Sequence, residues 1–321
     1  MFELDHAAAD SFTQIIAYAV PGFIFFMVVE ALFARGSEPA IYERKDTVTS
    51  LAMGIGKMIT GFGANLLTLL GLGLAYWLSP FRITMDAWWK WAIAVLVFDL
   101  LFYWMHRLHH EVRIGWAGHV THHSSQHYNY STALRQSWTE QVTAIPFWMV
   151  MSLMGFNPQT VLICYAFSLL YQFLMHTELV GKLGPLEWFM NTPSHHRVHH
   201  GTNFDYLDRN YAGTFIIWDR LFGTFQEEKD EDPAVFGLIT NIETYNPFKV
   251  AFHEWADMLR DAWRARNPFV ALQVFFRPPG WQPGDDSYTI RAQRAALARG
   301  ETPSLLATPP EEDLGHELSA E

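Results

Sequence analysis

Long apolar segments dominate the first third of the chain and predict membrane-spanning helices. Three such segments, at residues 12–34, 58–79 and 87–105, are each close to the roughly 20 apolar residues that a helix needs to cross the hydrocarbon core. Strongly polar side chains are rare inside them, Glu30 and Asn65 being two exceptions. We therefore expect three spans in the first 105 residues.

A fourth membrane element is predicted further along the chain. The apolar runs 142–156 and 160–175 are separated only by Asn157, Pro158 and Gln159, which is a signal for a tight reversal. We interpret these runs as a hairpin that enters the membrane and returns on one side. Three spans and a hairpin then bring the chain back to the face at which the third span ends.

Basic residues predict the orientation. Arg82 and Lys90 flank the loop between the second and third spans, whereas the loop between the first two is flanked by Arg35, Arg44, Lys45 and Lys57. Because loops rich in Lys and Arg stay in the cytoplasm, the face that holds the end of the third span is predicted to be cytoplasmic. That membrane would be the endoplasmic reticulum in a eukaryote or the inner membrane in a bacterium. The acidic start of the chain lacks the basic region of a cleaved signal peptide, so we expect the first span to be retained.

Composition excludes several other classes of protein. Half of the residues are hydrophobic and only 17% are charged, which is typical of a membrane protein. The net charge of -11 and the absence of a basic stripe argue against nucleic acid binding. The single cysteine, Cys164, excludes intramolecular disulfides and a Cys-ligated zinc or iron–sulfur site.

The chain is predicted to have three parts. Residues 1–105 contain the three spans, and residues 106–281 form a catalytic domain that includes the membrane hairpin at about 142–176. Residues 282–321 are acidic and poor in large apolar side chains, so we expect this tail to be disordered.

Histidines are concentrated in three clusters that share one spacing. The clusters are HRLHH at 106–110, HVTHH at 119–123 and HRVHH at 196–200. Positions i and i+3 or i+4 lie on one face of a helix, so each cluster can direct two or three imidazoles at one point. Together they supply about eight nitrogens, more than the four of a tetrahedral zinc site. This surplus favours two metals, although imidazole also suits zinc, copper, iron and nickel and does not name the metal.

The position of the clusters beside the membrane points to oxidation of lipids. Two metals held by neutral nitrogens, within reach of alkyl chains, suit activation of dioxygen for attack on a C–H bond. The clusters lack the H-E-x-x-H motif of a zinc protease, because Glu111 follows His110 but no histidine stands at position 114. A metal transporter or sensor is the rival from another class, and it would place histidines along a pore rather than at helix ends.

A histidine that binds a metal through one ring nitrogen usually donates a hydrogen bond from the other, so we also expect carboxylates that accept these hydrogen bonds. Asp99 lies two helical turns before His106, and an acid within a span is a functional candidate. The full set of candidate acceptors is Asp99, Glu111, Glu178, Asp208 and Asp219. Asn129 and Tyr211 are further candidates for residues that contact the ligands, although each could equally be a packing or capping residue. The isolated histidines His6, His253 and His316 are expected to be ordinary surface residues.

Longer motifs carry a resemblance to a known family. The chain has DLLFYWMHR from Asp99, WAGHVTHHSS from Trp116, STALR from Ser131, LLYQFLMHTE from Leu169, NTPSHHRVHHG from Asn191 and NYAGTFIIWDRLFGTF from Asn210. This order resembles the fatty acid hydroxylase/sterol desaturase superfamily, and within it most closely the alkylglycerol monooxygenases. The resemblance runs from about residue 99 to residue 225.

The resemblance implies an integral membrane di-iron enzyme that uses dioxygen. Its metal ligands would be the eight motif histidines and one more from the H-T-E element, namely His106, His110, His119, His122, His123, His176, His196, His199 and His200. Glu111 and Asn129 stand at positions that the resemblance marks as functionally important. His109 and His127 depart from the usual pattern and are expected to be bystanders, while His195 is expected to support the ligands rather than to be one.

The resemblance also implies a reaction. Alkylglycerol monooxygenases hydroxylate the ether-bearing carbon of an alkyl glycerol, with tetrahydrobiopterin as the reductant. The substrate would be a membrane lipid, with dioxygen as cosubstrate and either tetrahydrobiopterin or a redox partner as the external electron donor. Sterol and other lipid desaturases or hydroxylases share the same metal motifs and stay an alternative.

From these observations we predict an all-α integral membrane protein. Four to five transmembrane or membrane-embedded helices would lie beneath a cytoplasmic helical cap, and the cap would hold a histidine-rich di-metal site.

Overall fold

The predicted all-α fold is confirmed. The computed structural model describes residues 6–37 and 39–304, and this part contains helices and three isolated β-bridges but no β-strand. In chain order the α-helices are α1 (His6–Phe33), α2 (Arg44–Leu78), α3 (Trp88–Glu111), α4 (Arg113–His123), α5 (Glu140–Leu153), α6 (Pro158–Met175), α7 (Pro193–His200), α8 (Ile217–Phe222), α9 (Pro247–Arg264), α10 (Pro268–Phe276) and α11 (Ile290–Ala298). The expectation for His316 lies outside the described residues.

The first three helices and the hairpin form the membrane part. α2, α3 and α6 are long and apolar enough to cross a bilayer, and α1 carries a shorter apolar segment, Ala17–Phe33. α2 packs on α5, α1 packs on α6, and α3 packs on both helices of the hairpin. Phe98 of α3 stacks on Trp148 of α5, with ring centroids 4.6 Å apart, in the middle of the main hydrophobic core. The chain is therefore a membrane protein of packed apolar helices.

Two helices joined by a short turn occupy the apolar runs of the predicted hairpin. α5 ends at Leu153 and α6 begins at Pro158, where proline suits the first turn of a helix. The Asn157 side chain accepts a hydrogen bond from the Thr160 amide at 2.8 Å and caps α6. Gly155 adopts a φ of +101°, and a Cβ there would lie 2.7 Å from the Cβ of Phe81, so the turn requires glycine.

The helix that contains the second predicted span is longer than that span. The sequence pattern starts it at residue 58, but α2 begins at Arg44. Its 35 residues reach about 50 Å, well beyond a hydrocarbon core of about 30 Å. The extra turns carry polar residues. One of them, Asp46, pairs at 3.0 Å with Arg135, which is buried in the segment between α4 and α5. A search for apolar runs does not detect these turns, because polar side chains rather than apolar ones make their contacts.

The tail differs from the prediction between residues 282 and 304. α11 lies in this segment, Thr289 caps it, and Thr289 and Gln293 are buried. Arg294 donates a hydrogen bond to the carbonyl oxygen of Leu207. The sequence predicts disorder because apolar residues are few, whereas the segment is fixed mainly by polar contacts. Residues 305–321 lie outside the described part, and the boundaries of the three predicted parts stay predictions.

The remaining helices form a cap at one end of the membrane part. α9 and α10 pack on each other and on α4 around the buried residues Ala117, Met258 and Val274. The cap covers the end of α3 that carries the first histidine cluster. It is therefore placed to close the predicted site from outside the bilayer.

Candidate metal centre

Four chain segments bring the histidine clusters together. The last turns of α3 carry the first cluster, α4 carries the second and α7 carries the third, while His176 directly follows α6. α3 and α4 meet at a sharp corner, where a Cβ on Gly115 would lie 2.7 Å from the Cα of His109. The Thr192 side chain accepts a hydrogen bond from the His195 amide and starts α7.

Five of the nine predicted ligands form one group. His106, His110, His119, His123 and His199 each offer one ring nitrogen, and these nitrogens all lie within 4.8 Å of one another. The Nε2 atom of His119 lies 3.0 Å from that of His106 and 3.1 Å from that of His123. Such spacing suits ligands placed about 2.0–2.2 Å from one ion. We call these five residues the first histidine group.

The other four predicted ligands form a second histidine group: His122, His176, His196 and His200. The Nε2 atom of His176 lies 3.1 Å from that of His122 and 3.2 Å from that of His196. The groups are adjacent, since the rings of His123 and His200 stack with centroids 4.3 Å apart. The H-x-x-H-H spacing has a clear geometric purpose here: the final two histidines of each of the second and third clusters project into different groups.

Unpaired nitrogens provide a test of whether metal ions fit these groups. The Nε2 atoms of His110, His199 and His200 are buried and have no hydrogen-bond partner among the described residues. Leaving a buried polar atom unpaired costs about 1–3 kcal/mol. A metal ion would satisfy these atoms, and all-nitrogen sets suit iron, zinc, copper or nickel. The residues present therefore fit two metal ions.

Backbone carbonyls orient several of the rings. The Nδ1 atoms of His106, His176 and His199 lie 2.8 Å, 2.8 Å and 2.9 Å from the carbonyl oxygens of Tyr211, Gln172 and Arg209, respectively. Each Nδ1 therefore carries the proton and donates it to the carbonyl. The Nε2 lone pair is left free for a metal, as is usual for ligating histidines.

Burial keeps the ligands in the protonation state that metal binding requires. Desolvation holds the pKa of His122, His123, His196, His199 and His200 well below the usual value of 6.5. These imidazoles are neutral at pH 7, and a neutral imidazole is the form that coordinates a metal.

This arrangement predicts a loss of stability in mild acid. As the pH falls below 6.5, the unfolded chain takes up protons on these histidines but the folded site does not, so folding becomes less favourable. Each such histidine costs up to about 1.4 kcal/mol per pH unit. We expect the Tm of the metal-loaded protein to be level between about pH 7 and pH 8 and to fall steeply below 6.5. A constant Tm down to about pH 5 would contradict this account.

The predicted carboxylates take different positions. Asp208 lies nearest to the ligands, with Oδ1 3.5 Å from Nδ1 of His110. Asp219 accepts hydrogen bonds from the amides of Tyr211 and Ala212, both at 2.8 Å, and so fixes the carbonyl that orients His106. Asp99 accepts from the Thr214 and Phe215 amides and from Trp218 Nε1. Asp99 and Asp219 therefore position the backbone of the segment beside the site.

Of the other candidates, Glu111 and Asn129 bond to neighbours outside both histidine groups, whereas Tyr211 lies against the first group. Glu111 pairs with Arg107 at 2.8 Å. The Asn129 side chain donates to the Ile41 carbonyl at 2.7 Å and accepts from the Ser131 amide, so it holds the turn after α4. Glu178 is partly buried, and burial raises its pKa to about 7. Tyr211 is buried between the rings of His106, His110 and His199.

Sequence reasoning missed Glu140, the first residue of α5. Its Oε1 atom lies 2.7 Å from Nδ1 of His119 and 3.7 Å from Nδ1 of His109. The only signal in the sequence is a lone acid directly before the apolar hairpin. His109, which we expected to be a bystander, is buried beside Glu140, and neither of its ring nitrogens has a hydrogen-bond partner among the described residues.

Two other histidines lie outside both groups. His127 is close to the surface, and its Nδ1 lies 3.0 Å from the Ala40 carbonyl oxygen. His195 is buried against the Phe225 ring, and its carbonyl accepts a hydrogen bond from Asn210. His195 therefore supports α7 from behind.

A large cavity reaches the two groups from the cap. It has a volume of about 1590 Å³, and His110, His123, His199 and His200 form part of its wall. Apolar side chains line another part, including Trp116, Phe248, Phe252 and Trp281, while arginines such as Arg107 and Arg294 contribute positive charge. The cavity can therefore admit a molecule with an apolar part and a polar part.

Comparison with known proteins shows which family the site resembles. Residues 91–224 match the sequence model of the fatty acid hydroxylase family, and this range contains all three histidine clusters, His176 and Glu140. The comparison with solved structures found no match.

Curated relatives extend the similarity over most of the chain. Human alkylglycerol monooxygenase is 41% identical over 271 residues, which cover 83% of this chain and 60% of the human protein. The Caenorhabditis elegans alkylglycerol monooxygenase is 37% identical, over 79% of this chain and 52% of its own length. The ornithine lipid hydroxylase OlsE of Rhizobium tropici is 27% identical over 46% of this chain and 44% of its own length. The chain thus spans between about half and two thirds of the alkylglycerol monooxygenases that it matches. Residues 91–224, which contain the histidine groups, are thus similar to the fatty acid hydroxylase family.

Proposed function

We propose that this protein is an oxygen-dependent monooxygenase that hydroxylates a membrane lipid and uses two iron ions. The observation that carries the proposal is the pair of adjacent, all-histidine groups at the end of α3 that the cap covers. The first histidine group would hold one ion and the second would hold the other. When bound, the two ions would supply activation of dioxygen for attack on a C–H bond.

The protein's own residues prepare the site for this chemistry. Carbonyl oxygens of Tyr211, Gln172 and Arg209 fix the ring orientation of three ligands. All nine proposed ligands are 7% exposed or less, so the protein shields most of each ligand side chain from bulk water. The cavity gives a substrate an approach to the wall formed by His110 and His199, where its reacting carbon can be positioned.

An ether lipid is the substrate class that we favour. The relatives with the higher identity and coverage are named alkylglycerol monooxygenases, whereas those named for other lipids match less than half of this chain. Hydroxylation of the carbon next to an ether oxygen gives a hemiacetal, which breaks down to an aldehyde and the free glycerol hydroxyl. One oxygen atom of O2 enters the lipid, and the other leaves as water after two electrons and two protons are added.

The electron donor and the orientation are part of the proposal. Two electrons have to come from outside the chain, either from tetrahydrobiopterin or from a protein redox partner. The cavity opens on the cap side, so the donor would arrive there. We propose that the cap faces the cytoplasm, in the endoplasmic reticulum of a eukaryote or the inner membrane of a bacterium, because basic residues flank the loop between α1 and α2.

Two rivals predict different results. A lipid desaturase would use the same ligands but would yield a double bond and no aldehyde. A metal transporter would need a path through the membrane helices. The nine histidines instead lie at helix ends and in the cap, and all are buried. This arrangement favours an enzyme.

The proposal is tested with purified protein in detergent, iron, O2 and an alkylglycerol. We expect release of the fatty aldehyde that corresponds to the alkyl chain, with an ¹⁸O label from ¹⁸O2 in the aldehyde after rapid trapping. Separate reactions with tetrahydrobiopterin and with a chemical reductant identify the kind of donor. Anaerobic protein is the control. A desaturated lipid, or no O2-dependent product with any donor, would overturn the proposal.

Glu140 gives a second prediction about this site. Glu140→Leu removes the acceptor that orients His119, and loss of such outer partners lowers metal affinity by about 10–100-fold. We expect titration with a chelator to remove the metal of the first histidine group much earlier than in the wild type. The metal of the second group should be released at an unchanged chelator concentration.

Glu140→Gln is the matched variant. Its amide oxygen can still accept a hydrogen bond from His119, so we expect most of the affinity to return. Equal weakening of both metals, or equal effects of Leu and Gln, would show that Glu140 acts only on folding.

A further inference from the structure

Helix α9 exposes an apolar stripe that the cap does not cover. Its buried side, with Val250 and Met258, packs against α2 and α4. A second stripe, turned away from this side, carries Phe248, Phe252, Leu259 and Trp263. Trp263 is 89% exposed and Phe248 is 68% exposed. Exposing large aromatic side chains to water is unfavourable, so we expect an apolar partner to cover this stripe.

The following helix continues this surface. α10 has no charged residue, and its exposed side chains Phe269, Leu272 and Phe276 recur at helical spacing. α9 and α10 pack against each other. We call the combined set the α9–α10 apolar surface: Phe248, Phe252, Leu259, Trp263, Phe269, Leu272 and Phe276.

This surface lies beside α2. Trp138 donates to the Met53 carbonyl of α2 at 3.0 Å, and its ring lies 5.3 Å from Phe248 and 5.8 Å from Phe252. Directly beyond Met53, the apolar side chains of Ile55, Met58 and Ile59 are exposed on α2. Trp138 therefore links the exposed aromatic side chains of α9 to the part of α2 where its exposed apolar residues begin.

The depth of α9 can be estimated from the length of α2. Trp77 is exposed near the far end of α2, where it suits the opposite membrane interface. A core of about 30 Å corresponds to about 20 helical residues, so the near boundary falls close to Lys57. Met53 is about one turn beyond it. α9 packs at Met53 and therefore lies at the level of the lipid headgroups.

Charged residues on the third side of α9 fit this position. Lys249, Arg260 and Arg264 are exposed there, next to the apolar stripe but turned away from it, and Arg260 pairs with Asp257 of the same helix at 2.6 Å. A helix with separate apolar and charged sides of this kind is typical of one that lies in a membrane interface.

We infer that the α9–α10 pair lies in the lipid–water interface and inserts the α9–α10 apolar surface among the acyl chains of the bilayer. Phe248 and Phe252 also line the cavity above the histidine groups. The surface therefore joins the bilayer to the cavity mouth and provides a route for a lipid. This route rests on the proposed function, whereas the position of the helices does not.

Spin labelling in proteoliposomes tests the position directly. The chain has one cysteine, Cys164, which is buried, so unmodified protein serves as the blank. Labels are placed by Trp263→Cys, Leu259→Cys and Phe269→Cys, with Arg264→Cys and Arg260→Cys as neighbours on the charged side. We expect the first three labels to collide more often with O2, which concentrates in lipid, than with a water-soluble nickel chelate. The two neighbours should show the reverse order.

Other outcomes overturn the inference. If labels at positions 259 and 263 collide with the nickel chelate as often as the label at position 260 does, the surface faces water. Labels shielded from both reagents would show that another copy of the chain covers it. Enzyme kinetics test the route separately: Leu259→Glu should lower kcat/KM for a long-chain alkylglycerol in vesicles but not for a short-chain, water-soluble one. Equal loss with both substrates would reject the route, while a wild-type protein inactive on both would reject the proposed function and leave the label result standing.

Discussion

Replacing His199 or His122 by alanine is expected to abolish activity and to remove one metal ion from each chain. His199 belongs to the first histidine group and His122 to the second, so each variant disables a different ion. Loss of outer-sphere partners alone changes activity by about 10–100-fold, and loss of a ligand should exceed the upper end of that range. Lipid oxidation and metal content, measured on the same preparations, check this result.

His127→Ala is the matched control for both variants. His127 follows the second cluster closely in sequence but lies outside both groups, beside the Ala40 carbonyl. We expect it to keep wild-type activity and metal content. Full activity in His199→Ala or His122→Ala would contradict the assignment of ligands.

Replacing Arg135 by alanine is expected to cause the largest loss of stability. Arg135 is 1% exposed, and it donates to Asp46 of α2 and to Ser124 at the end of α4, both at 3.0 Å. Removing one partner of a buried ion pair leaves the other charge unpaired and costs about 3–5 kcal/mol. Because Asp46 also accepts from Ser125, the change would loosen α4 and the ligands on it.

The free energy of unfolding, measured by denaturant titration in detergent, checks this value. Lys182→Ala is the control, since Lys182 pairs with Asp230 at the surface and such pairs are worth less than about 1 kcal/mol. When Arg135→Ala is introduced into the Asp46→Asn variant, the loss in the free energy of unfolding should be much smaller than in the wild type. The Asp46 carboxylate is already absent there, so no buried charge is left unpaired. A loss below about 1 kcal/mol for Arg135→Ala in the wild type would show that the pair does not hold α2 to the cap.

The parts of the site that depend on local spacing could be predicted from the sequence. The nine proposed ligands lie at i, i+3 and i+4 positions or in a recognisable motif, and the structure brings those nine residues into two groups. The apolar runs likewise predict the hairpin of α5 and α6. In both cases the information lies within a few residues of the chain.

Features that depend on distant polar contacts could not be predicted. Glu140 meets His119 only because α5 packs against α4, and no local pattern distinguishes it from other acids at helix starts. The early start of α2 depends on the pairing of Asp46 with Arg135, 89 residues away. α11 lies in an acidic, apolar-poor tail, where composition alone indicates disorder. Each of these features depends on contacts between residues that are far apart in the chain, and a pattern of local spacing cannot show which distant residues meet.

The number of metal ions per chain tests the central claim most directly. Elemental analysis of purified, folded protein, loaded with iron under reducing conditions, is compared with His199→Ala prepared in the same way. The account predicts close to two ions per chain in the wild type and close to one in the variant. One ion or none in folded wild-type protein would contradict a dinuclear centre and, with it, the proposed monooxygenase.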